Sequence, residues 1–147
     1  MRKQTLIKAL LILLPVLAVG LATTTDSVTV FDTVGGTTAY YSYFDLVPVE
    51  NLQLLPPMAA ILSLVSGILA AVWLGKKKQG SLKASGYAAF AAAVLACVPI
   101  AIRGEVLVVP NVGLPIFMLG QYLVTYFAAK LPAEDPVQKK APRLKRR

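Results

Sequence analysis

The chain has 147 residues, 56% of them hydrophobic and only 15% charged, with a formal net charge of +8 and no histidine. Soluble domains carry about 25% charged residues, spread over every helix, whereas here the charges stand in short blocks between nearly uncharged stretches; this excludes a soluble basic surface for nucleic acid. The missing histidine removes the commonest metal ligand and general base, and the lone Cys97, inside an apolar run, excludes an intrachain disulfide.

A helix crosses a bilayer with roughly 20 apolar residues, in a range of about 17–25. The first run of that kind is Leu6–Ala22, broken only by Lys8, which is near enough to the end to snorkel. Pro15 sits in its middle and is expected to kink it. Residues 1–22 also read as a secretory signal, with a basic start and small residues near Gly20-Leu21-Ala22. Retention as a membrane helix is the reading adopted.

Two β-prone segments follow, 28–34 and 37–44, separated by Gly35-Gly36. A two-residue Gly-Gly turn between such segments predicts a hairpin. In that register Val34 faces Thr37, Phe31 faces Tyr40, Val30 faces Tyr41 and Val28 faces Tyr43. One face then holds Val28, Val30, Tyr41 and Tyr43, with Ala39 beside Asp32. A lone hairpin is marginal, so it should rest on the helix ends or the membrane interface. Phe31, Tyr40, Tyr41, Tyr43 and Phe44 form its candidate external contact surface, and the tyrosines also suit an interfacial aromatic belt. Asp45–Pro57 leads back to the membrane, Pro56-Pro57 marking a stop before the next helix.

The second run, Met58–Gly75, carries Ala59, Ser63, Gly67, Ala71 and Gly75 at every fourth position. The third, Gly86–Ile102, shows the same spacing at Ala88, Ala92 and Ala96, continued upstream by Ala84. Small residues let helix backbones approach closely in lipid. With the ten residues Lys76–Ser85 between them, the two runs are expected to pack as an antiparallel pair; a homo-oligomer interface is the alternative use of either stripe. The link Arg103–Asn111 holds the β-prone Val106–Val109, a candidate third strand. The fourth run is Val112–Ala129, with Pro115 in its first turn, where a missing N–H does no harm. From Leu131 onward, Pro132, Pro136, Pro142 and a basic cluster predict a disordered tail lying on anionic lipid headgroups.

Fourteen of the 15 basic residues flank the N-terminus, the link between runs two and three, and the end of run four; only Arg103 lies on the other side. Five acids, Asp26, Asp32, Asp45, Glu50 and Glu105, share that other side, against Glu134 and Asp135. The positive-inside rule then gives four crossings with both termini cytoplasmic. The expected fold is a membrane all-α fold: a four-transmembrane-helix bundle over residues 1–130, with a small extracytoplasmic β-hairpin between helices one and two, a candidate third strand beside it, and a basic tail over 131–147.

Chemistry is sparse. Apart from Lys8 the runs hold no ionisable side chain, so no proton relay is present at depth. Small multidrug transporters are similar in span count and size but rely on a membrane-embedded glutamate, which this chain lacks. Gln121 and Thr125, four apart on run four, could line a polar path; such residues more often bond to a neighbouring helix. No phosphate loop, dinucleotide glycine pattern, metal cluster or nucleophile–base pair occurs, and the external acids match no calcium loop. No catalytic residue, cofactor site or metal site is therefore assigned.

The layout resembles that of claudin-like tetraspan proteins, in which a longer first external segment forms β-strands and a second is short. That family's first external segment carries a tryptophan motif and a cysteine pair. Here the only tryptophan is Trp73 and the only cysteine Cys97, so the resemblance implies the layout and not a paracellular barrier. The chain is also similar to small uncharacterised tetraspan proteins of bacterial inner membranes, which implies a location. The expectation is a non-enzymatic interaction, accessory or envelope-scaffold protein. Its partners would be the bilayer and a membrane protein or a second copy of itself, not nucleic acid. A small oligomeric channel or transporter is the alternative.

Overall fold

Each of the four apolar runs folds as an α-helix, because a helix satisfies its own backbone donors and acceptors without water. In the computed structural model residues 2–24, 26–47, 53–98, 102–103 and 106–131 are described. The order is α1 (Arg2–Ala22), β1 (Val28–Asp32), β2 (Thr38–Tyr41), α2 (Leu55–Lys76), α3 (Gln79–Cys97), β3 (Ile102–Arg103), β4 (Val106–Pro110) and α4 (Gly113–Ala129). The expected tail beyond Leu131, together with Glu50, Pro99 and Glu105, lies outside the described residues. Helices α1, α2 and α3 are long and apolar enough to cross a membrane; α4 is a shorter apolar helix of 17 residues.

Helix boundaries differ from the sequence expectation in α1, which begins at Arg2 and not at Leu6, and more consequentially in α2 and α3. Helix α2 begins at Leu55 and takes Pro56 and Pro57 into its first turn, where a missing N–H leaves no helix bond unmade. Helix α3 spans 79–97 instead of 86–102, so only Lys77 and Lys78 separate it from α2. Its polar first turns are helix-competent, with the Ser81 hydroxyl donating to the Lys78 carbonyl. At the other end Val98 is extended (φ −65°, ψ 114°), as the residue before a proline tends to be.

The helices pack in cyclic order, α1 on α2, α2 on α3, α3 on α4 and α4 on α1. Each turns one seam inward at alternating three- and four-residue steps: Leu11, Pro15, Ala18 and Ala22; Ala59, Ser63, Ser66, Ala70 and Trp73; Leu82, Ser85, Ala89, Ala92 and Ala96; Leu114, Met118, Gln121, Thr125 and Ala128. This 3–4 alternation averages 3.5 residues, the period of helices crossing at shallow angles. A strict four-residue stride instead advances about 40° per step around a 3.6-residue helix. The stripe on α2 accordingly rotates out of the interface. Ala59 and Ser63 are buried, Gly67 is half-buried, and Ala71 and Gly75 are exposed. On α3 it rotates the other way, from half-buried Ala84 and Ala88 to buried Ala92 and Ala96.

Size is distributed inside-out. The α3 seam is small apart from Leu82, while Val16, Ile68, Tyr87 and Ile116 are 61%, 55%, 71% and 62% exposed. A water-soluble bundle would bury such side chains, each worth about 1.5–3 kcal/mol. Continuous apolar surface on this scale marks an interaction or membrane face.

The strands form an antiparallel sheet in the order β2-β1-β4-β3, in which β3 is only two residues long. Strand β4 is the expected third strand, and it pairs with β1 through Val28↔Pro110, Val30↔Val108 and Asp32↔Val106. Because α1, β1, β2 and α2 follow one another, as do α3, β3, β4 and α4, the sheet sits at one end of the bundle. Lys3, Lys76, Lys77, Lys78 and Lys130 sit at the opposite end, by the start of α1, the α2–α3 turn and the end of α4.

Candidate functional site

The sheet-bearing end is built from the turn outward. Asp32 accepts hydrogen bonds from the Val34 and Gly35 N–H groups at 2.9 and 3.0 Å, and the Asp32 N–H donates to the Thr37 carbonyl. Gly36 takes the left-handed conformation (φ +66°) that closes the loop. The connection is therefore four residues, Thr33–Gly36, and not the two-residue Gly-Gly turn. Val28 faces Tyr41, Val30 faces Ala39 and Phe31 faces Thr38, a register two residues from the expected one. The carboxylate decides this, by giving two turn donors an acceptor. A slip of two leaves every side chain on its expected face. The two N–H donors, from Gly35 and then Val34, hold the Asp32 carboxyl below its ordinary value.

The inner face, with Val28, Val30 and Val108, joins Ala18, Ala22, Ala92, Ala96 and Leu114 in one core. Tyr43 is only 1% exposed and belongs to that core, so it is no part of an outward contact surface. Its backbone N–H donates to the Ala22 carbonyl at the end of α1, and its hydroxyl donates to the Asn111 carbonyl. Burial first, and Cys97 second, push its phenol above the usual range. Asn111 is the junction of this end: its N–H donates to the Ser27 carbonyl and its side-chain carbonyl accepts the Gly113 N–H. Ser27, also buried, donates to the Leu21 and Thr24 carbonyls and so serves the α1 C-terminus. Sequence reasoning missed Ser27 and Asn111; an asparagine two residues before an apolar helix was the available signal.

On the outer face Phe31 and Tyr40 are 38% and 59% exposed, with Phe44 nearby in sequence at 44%. Tyr41 is half-buried on the inner side. Among the described residues strand β2 is an edge of the sheet, with no strand paired on the side away from β1.

The interior polar residues make contacts within and between helices. Pro15 has no N–H, so it frees the carbonyl four residues earlier, that of Leu11. The Gln121 amide donates to this same carbonyl at 3.1 Å. Pro15 itself lies against Gly67, where an added Cβ would come within 3.0 Å of the ring. Thr125 faces a different helix: it packs on Gly86 of α3 and donates to the Tyr122 carbonyl within α4. Gln121 and Thr125 thus contact α1 and α3 respectively. Ser66 and Ser85 each donate to the other's carbonyl, at 2.9 and 2.8 Å, and lock α2 to α3. Among the described residues no three His, Cys, Asp or Glu side chains gather as a metal site.

No protein-family model matches the chain, and neither the curated proteins nor the solved structures contain a match.

Proposed function

We propose that this is a four-crossing membrane protein with both termini cytoplasmic, a non-enzymatic interaction or envelope-scaffold component whose extracytoplasmic sheet is its contact surface. The observation that carries the reading is the division of the sheet. One face is fixed to the helix ends by Val28, Val30, Tyr43 and Val108, and the other presents Phe31 and Tyr40 beside an open edge strand. Exposed aromatics held on a rigid support are the residue types that dominate contact energetics. The four-crossing topology draws support from the inside-out size distribution and from the lysines at the end opposite the sheet. Strands drawn from both external segments agree with a claudin-like layout, and a bacterial cytoplasmic membrane is the location this reading favours.

The test is affinity capture in mild detergent with the intact chain and with Phe31→Ala/Tyr40→Ala. Both side chains point away from the core, so the double variant should keep wild-type thermal stability and lose its co-purifying membrane protein or second copy. Unchanged capture by the double variant would remove the sheet from the contact.

A further inference from the structure

Between α3 and α4, at the lysine-rich end, is a cleft of about 210 Å³ floored by the core residues Leu82 and Thr125. Its walls include Lys83, Gly86, Tyr87, Tyr122, Tyr126 and Ala129. We propose that it holds one anionic glycerophospholipid, its phosphate between Lys83 and Lys130 and an acyl chain along Tyr122 and Phe90.

Three observations carry this. First, charge: Lys83 lines the cleft, and the Lys130 ammonium lies 4.2 Å from the ring centroid of Tyr126, which places a second cation at the rim. Second, depth: Lys83 and Tyr87 lie about 6 and 12 Å along α3 from its start at Gln79, so with α3 starting at the membrane surface Lys83 falls in the headgroup layer of about 5–7 Å and Tyr87 just below it. Third, the polarity gradient: the Tyr122 wall is backed by Phe90, their ring centroids 5.4 Å apart, so an exposed apolar surface adjoins the cleft. Gly86 closes the floor of the cleft, since a Cβ there would lie 2.6 Å from the Thr125 hydroxyl and hold the two helices apart. A basic recess between helices at a cytoplasmic interface is the geometry that selects anionic headgroups. The volume is below the 300–1,000 Å³ typical of pockets that enclose an organic ligand, so the occupant is bound by part of its length.

The inference rests on the chain being membrane-embedded, not on the sheet being a contact surface. The intact chain in detergent is titrated with dioleoylphosphatidylglycerol or dioleoylphosphatidylcholine, and bound lipid is counted by native mass spectrometry. One phosphatidylglycerol should bind in preference to phosphatidylcholine. Lys83→Gln should weaken it about fivefold and Lys83→Gln/Lys130→Gln about thirtyfold. Ala129→Trp, which fills the cleft without changing charge, should abolish the preference, whereas Lys76→Gln/Lys77→Gln at the same end should keep it. All variants share the basic residues after Leu131, so that contribution cancels. Equal binding of the two lipids, an equal loss in the Lys76/Lys77 variant, or displacement by inorganic phosphate alone would overturn the proposal. A chain that stays in water without detergent would overturn the membrane reading and this one with it; an embedded chain without lipid preference would overturn only this one.

Discussion

At the scale of single residues, Pro15 and Gln121 form a unit although 106 positions separate them. Proline removes one helix hydrogen bond from α1, and the Gln121 amide on α4 supplies a donor for the carbonyl left over. Gln121→Leu should therefore destabilise the protein by about 1–2 kcal/mol. The same change in a Pro15→Ala background, where residue 15 regains its N–H, should cost close to nothing. A double-mutant cycle in detergent unfolding reads the difference, and equal costs in both backgrounds would break the link. Asp32 gives a second residue-scale expectation. Its carboxyl is acidified by the Gly35 and Val34 N–H groups, so its contribution is complete above the ordinary value of 3.8 and is lost as pH falls through the lower folded value. Carboxyl NMR should show Asp32 titrating below that ordinary value, with faster Val34 and Gly35 amide exchange as it protonates; Asp32→Asn should remove the pH dependence.

Among the elements, the α3–α4 pairing depends on the absence of one carbon. Gly86→Ala places a Cβ 2.6 Å from the Thr125 hydroxyl and should cost about 1–3 kcal/mol by overpacking. Thr125→Ala on the same chain should return most of it, as thermal unfolding of the double variant would show. The existence of the four helices and of the strand at Val106–Val109 was legible in hydropathy and β-propensity, since both are local properties. The hairpin faces were legible because they depend only on parity. Its register was not, because Gly35-Gly36 signals a tight turn and Asp32 overrides it through two hydrogen bonds. The inward faces of α2 and α3 were half-legible. Small residues at every fourth position mark tolerance of close approach, but a 3–4 seam decides which of them meet a partner, so Ala59 is buried and Ala71 is not. Tyr43 was assigned outward for its residue type; only the path of the chain back to Ala22 shows it buried.

For the molecule as a whole, α1 packs as a member of the bundle. Leu11, Ala18 and Ala22 are fully buried, and the Ala22 carbonyl receives the Tyr43 N–H. The mature protein should have an intact mass that includes residues 1–22. In a Cys97→Ser background, Val34→Cys should react with a membrane-impermeant maleimide in intact cells, and Lys78→Cys only after permeabilisation. The reverse labelling pattern would invert the orientation, and labelling of both would contradict four crossings.

The Leu11–Gln121 hydrogen bond also orders events during synthesis. Helix α1 emerges well before α4, yet its mid-helix carbonyl finds the Gln121 donor only when α4 arrives. Until then an unmet polar group keeps α1 poorly suited to lipid alone, and the insertion machinery or a chaperone would have to shelter it. Chains arrested on the ribosome before residue 121 should therefore hold α1 less firmly in the membrane than chains arrested after α4 has inserted, so that α4 completes α1.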